Sequence, residues 1–421
     1  KWMEKGWQTQ VDSPTFPQMQ ELLNGDTTKA IIYWHLSPVT LTAFIIRYQQ
    51  DINTVITPLY QFSLGSKITL EKLLDNWKTD YQDYRKSESQ KRETTPKNHL
   101  WRDNMIANLE KLQTLLNIPN ICDKYLSHVS ELILIPHRDL HLLPLESLFL
   151  SHPDRAFLIT RLPSAKIGLK LNQENPHPSI LSPLPNLLSI EDPHTQQPML
   201  FAEIESAAIC QLSAKPHRIW GASATQQKVK NALKIPNDIF HFTGHGYHLT
   251  QSPLESALKL ADKPLTLGDI FQLNLRQYHL VFLSACETGI TGKEGLTDEF
   301  VGLVSGFLAV GATYVISTLW AVKDYSTAWL VINFYQRLHQ GIAPAEALKQ
   351  AQNWLRTVTH SKLAQWLGSL ALELANFEGG CAESLEDFAE DQKEIAIIRN
   401  DNPPYADPYF WAGFTITGKV N

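Results

Sequence analysis

Short apolar runs that stop abruptly on proline or on small residues recur from Glu131 onward. Among them are Leu132-Ile133-Leu134-Ile135 before Pro136, Ile239-Phe240-His241-Phe242 before Thr243-Gly244-His245-Gly246, Val281-Phe282-Leu283 before Ser284-Ala285-Cys286, and Tyr314-Val315-Ile316 before Ser317-Thr318. A run with no polar alternation fits a strand covered on both faces. Such runs alternate with stretches of helical character, a pattern that predicts an α/β fold: a mostly parallel sheet sandwiched by helices, with its ligand site beyond the carboxyl ends of the strands.

The first hundred residues read differently, as an α+β part. Phe16–Asn24 is expected as a short helix, Ala30–His35 and Leu41–Gln49 as strands around the turn Ser37-Pro38, and Leu70–Tyr84 as a helix with Leu70, Leu73, Leu74 and Trp77 on one stripe. Lys86–Asn98 is polar and reads as a loop or linker. A helix over Met105–Leu116 opens the second part, so the division predicted is 1–104 and 105–421. In that second part Asn172–Gln197, rich in Pro, Asn and Ser, is expected as loop. Helices are expected over Phe201–Leu212, Thr225–Leu233, Asp298–Ala309, Ser326–His339 and Pro344–Arg356, and strands over Ala312–Trp320 and Phe410–Thr417. Glu373–Glu394 holds eight acids against Lys393 alone and reads as an exposed acidic insertion.

Composition narrows the function. With 421 residues, 43% hydrophobic and 19% charged, the chain is of the soluble globular class and long enough for two domains. A formal charge of −6 argues against nucleic acid as a direct partner. The uncharged run Phe300–Val322 could span a bilayer by length. Gly302, Gly306 and Gly311 divide it, however, and it is expected to form two buried elements, with no membrane association. No signal peptide is visible, the first residue is Lys1, and a cytoplasmic fragment of a longer chain is expected. Cys122, Cys210, Cys286 and Cys381 contain no CxxC pair, so neither a metal site nor a disulfide framework is indicated, and no cofactor is called for.

The chemistry concentrates at two strand ends. A cysteine attacks as its thiolate and is activated by a neighbouring base. Cys286 follows a strand and is flanked by Ser284, Ala285 and Gly289, which leave room for a substrate. His245 follows another strand, between Gly244 and Gly246. His241 lies within its strand and reads as structural, and His248 lies farther into the loop. The amides of Gly246 and Cys286 are candidates for an oxyanion hole. Cys122 and Cys210 read as small core hydrophobes, and Trp320, Trp329 and Trp354 as core.

These segments resemble the CHAT family (caspase-HetF associated with TPRs). The resemblance covers roughly the last three hundred residues. It is carried by Ile135-Pro136-His137-Arg138-Asp139-Leu140-His141-Leu142-Leu143-Pro144, His241-Phe242-Thr243-Gly244-His245-Gly246, Leu283-Ser284-Ala285-Cys286-Glu287-Thr288-Gly289, Gly311-Ala312, Leu319-Trp320-Ala321-Val322-Lys323-Asp324 and Asp407-Pro408-Tyr409-Phe410-Trp411-Ala412-Gly413-Phe414. It implies a caspase- and separase-like fold and a cysteine peptidase acting on protein substrates, with His245 as general base and Cys286 as nucleophile, and points to a cyanobacterial HetF-type member. It further implies that the N-terminal part is a degenerate, non-catalytic half, and that an upstream TPR region or an activating protein is a partner. Asp407 stands where many relatives carry His. Asp324, after the strand that follows the nucleophile, is the expected pocket residue for Arg or Lys before the cut, and Glu287 a second pocket candidate. Two other readings compete: a catalytically silent scaffold for protein binding, and a thiol hydrolase of small amides.

Overall fold

The computed structural model describes residues 14–48, 59–61, 63–90, 99–150, 156–174, 186–193, 199, 201–247, 249, 252–286, 302–377, 380–398 and 401–420. Within them, thirteen strands form one sheet. In chain order they are β1 (Lys29–Leu36), β2 (Leu41–Arg47), β3 (Leu59–Gln61), β4 (Glu131–Ile135), β5 (Leu158–Arg161), β6 (Asn186–Glu191), β7 (Lys215–Trp220), β8 (Ile239–Tyr247), β9 (Ala257–Leu258), β10 (Leu265–Thr266), β11 (Leu280–Cys286), β12 (Tyr314–Thr318) and β13 (Phe414–Gly418).

Two parallel blocks make up the sheet. In the first, β7, β6, β8, β11 and β12 lie side by side, all parallel. β13 pairs antiparallel with β12 and begins the second block, in which β5, β4 and β1 follow in parallel. β2 and β3 continue it antiparallel, and β9 with β10 forms a small ribbon on the end of β8. The N-terminal strands therefore extend the same sheet that carries the chemical strands.

Alternation along the strands separates two cores. Phe240, Phe242, Val281 and Leu283 point to one face, against Val229 and Leu233 of the Gln226–Leu233 helix and Val304 and Phe307 of the Leu303–Ala309 helix. Phe282 and Ile316 point to the other, with the helices Ala202–Leu212, Asp324–His339 and Pro344–Thr357. Each fully buried Leu, Ile or Phe contributes about 1.5–3 kcal/mol relative to exposure, so cover on both faces is what makes these apolar runs strands. The described part of the uncharged run is divided between the Leu303–Ala309 helix and β12. Among the described residues no helix is long and apolar enough to cross a membrane.

The N-terminal helix is longer than its apolar stripe, running over Leu64–Gln90, and Leu70, Leu73, Leu74 and Trp77 are all buried. Its Trp77 and the nearby Trp101 meet Trp320 edge-on, at 6.2 and 5.7 Å between ring centroids. The Tyr81 hydroxyl accepts from the Ala321 amide at 3.0 Å, and the Tyr409 hydroxyl donates to the Ala321 carbonyl at 3.1 Å. The segment after β12, which leads to Asp324, is held from both sides.

Two expectations are corrected. Asn186–Glu191, inside the stretch read as loop, is β6, paired between β7 and β8 in the first block. Leu187, Leu188, Ser189 and Ile190 are buried, but the prolines before them dominate the local composition. The acidic stretch is no solvated insertion but a docked helix, Cys381–Ile398, with Cys381, Leu385, Ala389 and Gln392 buried at helical spacing. Phe388 packs 5.7 Å from Trp329, and the acids occupy the outer side.

Candidate active site

β8 and β11 run parallel in a register that pairs Phe282 with His241, Ser284 with Thr243, and Cys286 with His245. Paired residues of parallel neighbours lie about 4.7–4.9 Å apart and fall on the same face. Among the described residues position 286 is the farthest rung of this ladder, and the two candidate residues stand on it together. His245 is partly exposed.

The β8–β9 pairing orients the peptide of Gly246. The Lys259 amide donates to the His245 carbonyl at 2.8 Å, while Gly246 is the register partner of Leu258. Backbone groups alternate sides along a strand. The Gly246 amide is therefore directed away from β9, toward the β11 side that carries Cys286. Gly244 has a different reason to be glycine: a Cβ there would lie 3.0 Å from Phe242 and 3.1 Å from Pro193. Close packing within the protein, rather than approach of a ligand, requires it.

Neighbouring strands of the same block bring two carboxylates. Asp324 begins the Asp324–His339 helix, six residues beyond β12. Burial pushes its carboxyl above the ordinary range, the charge of His245 opposes that shift, and Glu205 and Asp192 reinforce it. Asp192 directly follows β6 in a left-handed backbone conformation (φ 33°). Its amide donates to the Thr243 carbonyl at 2.8 Å, and its Oδ2 accepts from the Met199 amide at 2.9 Å. Four parallel strands thus deliver Asp192, His245, Cys286 and Asp324 to one rim. Glu287 lies outside the described residues, as does His248.

Below the rim is a fully buried polar cluster. His241 Nε2 is 2.9 Å from Glu205 Oε1 and 2.7 Å from Thr243 Oγ1, and His241 Nδ1 is 3.2 Å from the Tyr335 hydroxyl. Thr243 donates to Glu205 Oε1, and Ser284 donates to Oε2 at 3.2 Å. Sequence reasoning missed Glu205 and Asp192. Asp192 carries the strand-end signal that singled out the others, but its strand was read as loop. Glu205 stands in the helix segment Ala202-Glu203-Ile204-Glu205-Ser206-Ala207, where an acid gives no sign of facing inward.

The CHAT domain family model matches residues 107–419. The chain belongs to the CHAT domain family. Asp407 serves this CHAT domain as a cap: its Oδ1 accepts from the Tyr409 amide at 2.9 Å. No curated protein sequence matches the chain. Among solved structures it is similar to separase of Saccharomyces cerevisiae in its complex with securin, at 12% identity and a TM-score of 0.56, over 80% of this chain and 29% of that one. A second structure of that complex matches at 13% identity and a TM-score of 0.50, over 80% and 30%. The Arg-specific cysteine proteinase gingipain R (RgpB) of Porphyromonas gingivalis matches at 11% identity and a TM-score of 0.41, over 74% and 67%. The chain spans less than a third of the separase chain. At these identities the likeness is one of fold: a caspase-like, mostly parallel sheet flanked by helices.

Proposed function

We propose that this CHAT domain is a cysteine endopeptidase with Cys286 as nucleophile and His245 as general base. The observation that carries the reading is the direct register pairing of His245 with Cys286 on two parallel strands. His245 takes the thiol proton as sulfur attacks the scissile carbonyl, and the amides of Gly246 and Cys286 receive the developing oxyanion. The imidazolium then protonates the leaving amine, a thioester remains, and His245 activates the water that hydrolyses it. A dyad suffices because a thiol with pKa near ~8.5 needs less activation than a hydroxyl.

Asp324 and Asp192 support a site for Arg or Lys before the cut. Two carboxylates at one rim, one of them lifted by burial and by its neighbours' charge, favour a cationic side chain. The substrate class is protein, in a regulatory setting in the cytoplasm. Residues 1–104 would serve as a non-catalytic support, since their helix holds the segment leading to Asp324. The placement as a HetF-type member rests on the strand-end motifs alone.

The test is co-expression of the chain with candidate proteomes, reading new protein N-termini, beside Cys286→Ala and His245→Ala. General acid–base removal is expected to cost about 10²–10⁴-fold in rate, and Cys286→Ala should abolish cleavage. New termini that persist in Cys286→Ala would overturn the assignment, and no termini in any sample would favour the protein-binding scaffold.

A further inference from the structure

We infer that Glu205 is the positioning residue of this site, a clamp that holds β8 and β11 together one layer beneath His245 and Cys286. The inference rests on the dyad reading above. Thr243 and Ser284 are register partners of each other, each two residues before a member of the proposed dyad and on the same face. One oxygen of Glu205 accepts from Thr243 on β8, and the other accepts from Ser284 on β11. A single carboxylate therefore spans the Thr243–Ser284 rung, two residues below that of His245 and Cys286.

The setting makes this bridge stiff. Glu205, Thr243 and Ser284 are at most 2% exposed. Hydrogen bonds to a carboxylate are stronger and geometrically tighter than neutral ones, the more so away from water. A side-chain bridge just below restrains the splay that would separate a thiol from an imidazole.

Simple packing does not account for the carboxylate. Among the described residues its ion-pair partner is His241, with no lysine or arginine. A buried carboxylate held by neutral donors costs more than an apolar residue of the same size. The Tyr335 hydroxyl lies 3.2 Å from His241 Nδ1. The other ring nitrogen, Nε2, faces Glu205 Oε1 and Thr243 Oγ1. Tyr335 belongs to the helix that starts at Asp324. The one carboxylate thus gathers the strands of His245 and Cys286 and the helix of Asp324.

The test is the rate of Cys286 alkylation by iodoacetamide against pH, on the full chain. Cys122, Cys210 and Cys381 are buried, so labelling of the folded protein reports on Cys286. Wild type is expected to react with an acid-shifted profile that His245→Ala abolishes. Thr243→Val and Ser284→Ala each remove one arm of the clamp. Each should lower the rate at pH 7 by about tenfold and return the midpoint toward the ordinary thiol value of ~8.5. Thr243→Ser keeps the hydroxyl and should keep the profile, a rescue that a loss through misfolding would not show. Ser189→Ala removes a buried hydrogen bond to Ser206, the next residue of the same helix, and should change stability but not the profile. Wild-type profiles in both Thr243→Val and Ser284→Ala would overturn the positioning role and leave the dyad standing. An ordinary thiol profile in wild type, unmoved by His245→Ala, would sink the dyad and the clamp with it.

Discussion

Glu146 and Glu205 are carboxylates set into the two parallel blocks of one sheet, and they are dressed differently. Glu146 meets the guanidinium of Arg161 at the end of β5 through two parallel bonds, Nε to Oε1 at 2.8 Å and Nη2 to Oε2 at 2.6 Å. The remaining Arg161 donors go to the carbonyls of His141 and Leu143, each at 2.9 Å. Charge is cancelled, and the segment after β4 is pinned across its strand ends. Nearby His141 is buried, and burial with the Arg161 charge pulls its pKa well below the ordinary value, so it stays neutral. Glu205 meets two hydroxyls and a histidine ring, with no guanidinium or ammonium among the described residues, and its charge is felt at Asp324. The two carboxylates teach that burial of a charge serves two purposes. Where it is cancelled it closes a strand end, and where it is not it shapes the field and geometry of an open one.

The comparison breaks most sharply at Glu146. Glu146→Ala strands a buried guanidinium, a change that typically costs about 3–5 kcal/mol. Urea unfolding should show that loss, while alkylation of Cys286 per folded molecule stays at the wild-type rate. A changed rate would mean that the second block is part of the site. The seam between the blocks comes next. A Cβ on Gly418 would overlap the Thr313 carbonyl oxygen and lie 2.9 Å from Tyr314 Cα, backbone that cannot turn aside. Gly418→Ala is expected to cost about 1–3 kcal/mol by overpacking, read as a lower midpoint with an unchanged denaturant slope. A reduced slope would show the two blocks coming apart separately.

The two blocks were not equally legible in the sequence. Glu131–Ile135, Ile239–Tyr247 and Leu280–Cys286 announce themselves because burial on both faces leaves an uninterrupted apolar run. β6 obeys the same rule with only Leu187, Leu188 and Ile190, and the prolines around it outweighed so short a signal. The acidic helix hid for the opposite reason, since its buried stripe is one residue in each turn while its exposed acids fill the rest. What no local pattern carries is register. Strand ends at His245 and Cys286 can be read from composition, but their meeting on one rung depends on the pairing of strands far apart in the chain. Glu205 is farther out of reach, because its role exists only once three elements have packed around it.

The smallest expected effect belongs to Asp324, and its sign is informative. As the first residue of a helix its carboxylate gains from the helix end, typically about 0.3–1 kcal/mol. Burial works against the charged form, as do Glu205 and Asp192, and the net direction is a raised pKa. A carboxyl whose folded pKa is raised contributes stability at pH below its unfolded value of ~3.9 and loses it as pH rises through the folded value. Asp324→Asn should therefore be slightly more stable than the parent at pH 7 to 8, by at most about 1 kcal/mol after screening is allowed for. The gain should shrink to nothing as the pH falls toward 4. Thermal melts of the pair across that range give the sign. A variant that is less stable at neutral pH would make Asp324 a helix cap like any other. A variant that is more stable but has lost cleavage after Arg or Lys would show a charge held at the rim against the interest of the fold.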